Sequence, residues 1–193
     1  LICIMVWSLS STNAVAGSEG PTQQVRRLIK AIGNMKTADN GQVAADYAAS
    51  NAAAAKEANT ILDISGVGQW ALGKHWKART TTEQAEFIAL LEELFTKVAY
   101  PKSAAFFSDY EINILKERVS GTRAMVRTTV NDPNGGLVSV DYRLIRNNGS
   151  WRVRDILLDD VSLVINLRSQ FNKIIAKDSY AELLRRMRKK LTE

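Results

Sequence analysis

One histidine, His75, and one cysteine, Cys3, are the whole stock of imidazole and thiol in this chain of 193 residues. A lone cysteine cannot close an intramolecular disulfide. It also cannot build a Cys-based zinc site, and a lone histidine excludes a His-rich one, so no metal is expected. His75 lies in Gly73-Lys74-His75-Trp76-Lys77 with no acid beside it, which reads as an imidazole packed at a helix end. No GxGxxG, P-loop, GxSxG, HExxH or EF-hand spacing occurs. The remaining candidate for chemistry is Asp155. Alternation places it with Trp151, Val153 and Leu157 on an apolar strand face, where a free carboxylate is costly. Arg168, on the flank of the next apolar helix stripe, would neutralise it, and a structural Asp155–Arg168 pair is expected. The alternative is an isomerase-type enzyme in a cone-shaped pocket, with Asp155 as general base and Tyr142 as hydrogen-bond donor. On the favoured reading no residue is catalytic.

The elements that must position these residues follow from periodicity. Hydrophobic residues make up 46% of the chain and charged residues 24%, enough apolar content for one ordinary domain with a sizeable core. Residues Leu1 to Ala16 are uncharged, with an apolar first half and a small-x-small end at Ala14-Val15-Ala16. They read as the remnant of a signal peptide, and hence as export. From Pro21 the spacing of Val25, Leu28, Ile29, Ile32 and Met35 predicts a helix, broken at Asp39-Asn40-Gly41. An alanine-rich helical stretch, a short helix from Leu62 to Gly73, and a helix opened by the capping box Thr80–Glu83 follow. The period then becomes two. Strands are expected around Ile112, over Ala124–Val130, through Val138, Val140, Tyr142 and Leu144, and over Trp151–Leu157. Hairpin turns are expected at Asn131-Asp132-Pro133-Asn134-Gly135-Gly136 and Asn147-Asn148-Gly149-Ser150. Two helices close the chain, the second opened by a capping box at Ser179–Glu182. The expected organisation is a helical part over 21–110, a sheet over 111–158 and C-terminal helices over 161–192, all in one domain spanning 21–193. The fold class is α+β, a curved antiparallel sheet of about four strands packed by amphipathic helices.

Charge adds one further candidate. There are 26 Lys and Arg against 20 Asp and Glu, a net charge of +6. That excess suits contacts with acidic partners but does not by itself imply nucleic acid. Arg185, Arg186, Arg188, Lys189 and Lys190 form a basic face on the last helix. With no interleaved aromatics for base stacking, that face reads as solvated surface or as a docking face.

An ordered set of segments carries a resemblance. It comprises Leu62-Asp63-Ile64-Ser65, Ala71-Leu72-Gly73-Lys74-His75-Trp76 and Thr82-Glu83-Gln84-Ala85-Glu86-Phe87. It continues with Val140-Asp141-Tyr142-Arg143-Leu144, Trp151-Arg152-Val153-Arg154-Asp155, Val161-Ser162-Leu163-Val164 and Arg168-Ser169-Gln170-Phe171. In this order, over roughly Val25 to Leu191, the chain resembles the MlaC, or toluene-tolerance, family of periplasmic lipid-binding proteins of Gram-negative bacteria. The family usually has Phe at Ile64, Glu-Gly at Asp159-Asp160 and Tyr at Leu167.

The resemblance implies an NTF2-like sheet with an added helical subdomain. It implies a periplasmic carrier, monomeric and without cofactor, with phospholipid as cargo. Such a carrier would shuttle lipid between an outer-membrane lipoprotein–porin complex and an inner-membrane ABC transporter. A hopanoid-associated carrier is the variant reading. Acyl tails need an apolar cavity, and two tails of about sixteen carbons represent on the order of 20 kcal/mol of gross burial. The expected lining is Val126, Val138, Val140, Tyr142, Leu144, Val153 and Leu157 from the sheet, faced by Phe87, Leu90, Leu91, Leu94, Leu167 and Phe171 from helices.

Overall fold

A computed structural model of the chain describes residues 19–36, 47–109, 111–131 and 136–192. The expected signal-peptide remnant, the break at Asp39-Asn40-Gly41 and the turn at 132–135 lie outside the described residues. Helices α1 (Pro21–Gly33), α2 (Ala48–Ile61), α3 (Ile64–Leu72), α4 (Thr81–Leu94) and α5 (Tyr100–Asp109) precede the sheet. Strands β1 (Ile112–Ser120), β2 (Arg123–Asn131), β3 (Leu137–Asn147), β4 (Ser150–Leu158) and β5 (Val161–Ser162) form an antiparallel meander in chain order. Helices α6 (Leu163–Lys177) and α7 (Tyr180–Lys190) follow. The architecture is the expected α+β class. Its sheet has five strands rather than about four, because the two-residue β5 turns back against Leu157 and Leu158 before α6 begins.

Local chemistry sets most boundaries. Pro21 opens α1 in the first turn, where its missing N–H is harmless. Thr80 and Glu83 satisfy each other's backbone amides at the start of α4, the full capping box. At α7 only half of the expected box forms. Ser179 accepts from the Glu182 amide, while the Glu182 carboxylate is taken by Arg185 and Arg186. These two guanidiniums pull its pKa down to about 2. The β3–β4 hairpin closes on Asn148 and Gly149, with φ of 48° and 81°. Two left-handed residues are what a type I′ turn requires, and Asn-Gly supplies them.

The core explains which sheet face is closed. Residues paired across a ladder project to one side, so Val126, Val130, Val140, Tyr142, Leu144 and Val153 share a face. That face packs against α1, whose Val25 and Leu28 are fully buried in the same cluster. Tyr142 is fully enclosed, and its hydroxyl finds no hydrogen-bond partner among the described residues. Burial pushes its pKa far above the ordinary phenol value. An unsatisfied buried hydroxyl is a liability. Tyr142→Phe should therefore leave the unfolding free energy measured in urea unchanged or raise it, by up to about 1 kcal/mol. A loss of stability would show that the hydroxyl is paired.

Candidate functional site

The first feature of the site is a bulge. Arg143 pairs with Asp155 but Leu144 pairs with Val153, so Arg154 is the extra residue of β4. A one-residue shift turns the following side chains to the other face. Asp155 therefore does not share the face of Trp151 and Val153, as plain alternation predicts. It lies with Arg143 on the opposite side of the sheet from Tyr142.

This relocation corrects two expectations. The Asp155–Arg168 pair does not form. The Asp155 carboxylate accepts from Ser162 Oγ at 2.7 Å, from the Val164 amide at 3.2 Å and from Arg143 Nη1 at 3.3 Å. It thus ties β4 to β5, to the first turn of α6 and to β3. Arg168 is exposed, and its guanidinium lies where a Cβ on Gly73 would sit. The pairing of Asp155 with Tyr142 as base and donor also has no geometric basis, because the two occupy opposite faces. His75 falls in a 3₁₀ helix over Gly73–Ala78 that follows α3. No cluster of metal-ligating side chains occurs among the described residues.

Sequence reasoning missed a second carboxylate. Leu62 forms a parallel bridge with Val153, and the Asp63 amide donates to the Val153 carbonyl at 2.8 Å. The α2–α3 link thus runs beside β4. Asp63 is buried, caps α3 by accepting from the Gly66 amide at 3.1 Å, and takes Arg154 Nε at 2.7 Å. The bulge that displaces Asp155 is the feature that delivers Arg154 to Asp63. The available signal was an N-cap aspartate directly before a short helix. Gly66 belongs to this unit. A Cβ there would stand 2.2 Å from Asp63 Oδ2 and 2.8 Å from Arg154 Nε. Gly66→Ala should destabilise the fold by about 2 kcal/mol, the usual scale of overpacking, measured as a lowered urea midpoint. An unchanged midpoint would mean that the Asp63 carboxylate moves aside without penalty.

Around this frame lies a cleft of about 580 Å³, within the range of about 300–1,000 Å³ typical of ligand sites. Met125 and Ile145 lie in it from the sheet face opposite α1, with Ala124 and Leu144 beside them. Trp70 of α3 and Val164 and Ile165 of α6 form the far wall. Arg118, Arg123, Arg143 and Arg154 also border it, as does Asp155. Trp70 and Ile165 are more than half exposed, so the cleft has an apolar edge open to solvent.

A second hollow of about 410 Å³ lies among α4, α6, α7 and the π-helical turn Phe95–Ala99. Leu91, Leu94, Leu167 and Phe171 line it, with Arg186 and Lys190 beside them. The expected lining is thus divided. Leu144 borders the cleft, and those four helix residues border the hollow. Val126, Val140, Tyr142, Val153, Leu157, Phe87 and Leu90 are buried in the core, and Val138 packs partly buried against it. The physical reason is α1, which fills the sheet face that alternation marks as the cavity wall, while the bulge turns Leu157 to the other face.

The basic face of α7 is largely engaged within the molecule. Arg185 and Arg186 hold Glu182, Arg186 also holds Asp178, and Arg188 reaches Glu86 of α4. Lys189 and Lys190 also have partners. Among the described residues no helix is long and apolar enough to cross a membrane.

Comparison with known proteins supplies the wider context. The family model described as MlaC protein matches residues 24–189. Comparison with curated proteins finds no match. Among solved structures, the chain is similar to a phospholipid-binding protein from Ralstonia solanacearum in complex with a phospholipid. The TM-score is 0.70 at 20% identity, over 88% of this chain and 96% of that one.

Proposed function

The chain belongs to the MlaC family, and we propose on that footing that it is a periplasmic carrier of phospholipid. The observation that carries the reading is the cleft, with its apolar floor, its exposed apolar edge and its bordering arginines. Two acyl tails resist leaving a bilayer by on the order of 20 kcal/mol, so a carrier must offer them an apolar surface away from water. Met125, Ile145, Val164 and Ile165 offer it. The hollow lined by Leu91, Leu94, Leu167 and Phe171 adds a second apolar surface. Segment 21–193 acts as a single lipid-binding domain, without cofactor and as a monomer. The cargo moves between an outer-membrane lipoprotein–porin complex and an inner-membrane ABC transporter.

The test is native mass spectrometry of the purified protein before and after incubation with phospholipid vesicles. Retention of one phospholipid per chain supports the reading. Protein that neither arrives with lipid nor takes it up sinks it.

Docking to the membrane complexes falls to the face with Arg185, Arg186, Arg188, Lys189 and Lys190. Charge complementarity accelerates encounter without tight binding. Reversing Arg185, Arg188 and Lys189 to glutamate, none of which borders the hollow, should slow transfer to reconstituted transporter by about tenfold at low salt, with less effect as screening rises. Lipid bound per protein should stay the same. Equal transfer rates for variant and wild type at low salt would reduce this face to solvated surface.

A further inference from the structure

Four arginines border the cleft, and only two of them are neutralised. Arg154 is held by Asp63 and Arg143 by Asp155. Arg118 and Arg123 are exposed and have no ion-pair partner among the described residues. Their placement is specific. Arg118 pairs with Met125 and Arg123 with Ser120 across the β1–β2 ladder. Both therefore project from the same face as Met125, as diagonal neighbours about 7–8 Å apart or less, within reach of long side chains. Two long guanidinium stems at that separation can close on one tetrahedral anion, and the Ser120 hydroxyl stands opposite Arg123 on the same side. Planar guanidinium forks match phosphate oxygens with paired donors.

The charge sits where the apolar floor ends. Met125 adjoins Arg118 across the ladder, and Ile145 adjoins Arg123. A ligand that satisfied both features would be an anion joined to an apolar body. We infer that Arg118 and Arg123 form a phosphate-binding end of the cleft, holding the phosphodiester of the lipid whose tails lie on Met125 and Ile145. The inference rests on the carrier reading and adds to it a selection rule. The protein prefers acyl lipids that bear a phosphate over those that lack one.

The test uses the full chain, freed of lipid and incubated with vesicles doped with phosphatidylglycerol or with diacylglycerol of identical tails. Bound lipid is counted by native mass spectrometry. Wild type should favour phosphatidylglycerol by about tenfold or more, the scale of one lost charge-assisted contact. Arg118→Gln with Arg123→Gln should take up both lipids alike, with diacylglycerol loading unchanged. Arg118→Lys with Arg123→Lys should retain part of the preference, since charge survives without the fork. A glutamine variant that keeps the full preference overturns the inference while leaving the carrier reading intact. Inorganic phosphate that binds the lipid-free wild type and displaces phosphatidylglycerol also overturns it, because the site then serves a free anion. Uptake of neither lipid by wild type removes the carrier reading and this inference together.

Discussion

Asp63→Ala should lower the stability of the protein by about 3 kcal/mol, through loss of a buried ion-pair partner and of a helix cap. The substitution leaves the Arg154 guanidinium beside an empty, mostly desolvated position and frees the Gly66 amide. Breaking a buried pair from one side ordinarily costs about 3–5 kcal/mol. Here the figure is discounted because the Arg154 side chain is 31% exposed and water recovers part of its solvation. The measurement is urea unfolding, where a midpoint lower by about 1–2 M is expected for a chain of this size. Asp63→Asn should lose less, because asparagine also caps helices. Arg154→Met combined with Asp63→Ala should recover part of the loss, since it removes the stranded charge. A fall of under 1 kcal/mol for Asp63→Ala would mean that the link between α3 and β4 rests on packing alone.

Filling the cleft should abolish cargo uptake. Met125 and Ile145 project from one face of adjacent strands, diagonally across the β2–β3 ladder, and both are only partly buried. Met125→Trp with Ile145→Trp adds bulk into open space rather than into packed core, so the usual overpacking strain is avoided. Bound phospholipid in native mass spectra should fall at least about tenfold, the loss expected when a well-placed apolar contact worth about 1.4 kcal/mol or more is denied. The thermal midpoint should shift by only a few degrees. Full loading in this variant would move the tails elsewhere, with the hollow lined by Leu94 and Phe171 the next position to block.

The legibility of this fold in its sequence has a clear limit. Helices with clear start signals and spacing, such as α1 with Pro21 in its first turn and α4 with its capping box, and the meander with its Asn-Gly hairpin, are readable because short-range chemistry decides them. The candidate site was less legible. Its geometry depends on one inserted residue, Arg154, which reverses the facing of Asp155 and Leu157. A bulge leaves no composition signal in a strand of mixed polarity, so alternation assigned Asp155 to the wrong side and paired it with Arg168. The lining was divided for a different reason. Apolar periodicity marks a face that must be covered but not whether a helix or a ligand covers it. Val126 and Val153 are covered by the protein itself. Met125 and Ile145, on the side that alternation marks as polar, border the cleft. Their neighbours Arg118, Arg123 and Arg143 hid it from a hydropathy argument.

The two rims of the sheet differ in a way that bears on how the protein behaves in a crowd. At β4 the backbone at Leu157 and Leu158 is occupied by β5 and that at Val153 by the Leu62 bridge, which shortens the edge open to a foreign strand. The β1 rim is unpaired within the sheet order and carries the exposed side chains Leu115 and Val119. Such a rim is a template for edge-to-edge aggregation. The ladder irregularity between Ile114 and Lys116 kinks it, and Lys116, Glu117 and Arg118 line it with charge. Bend and charge together discourage a second copy from docking in register. This strand can therefore stay open to solvent at high protein concentration without seeding fibres.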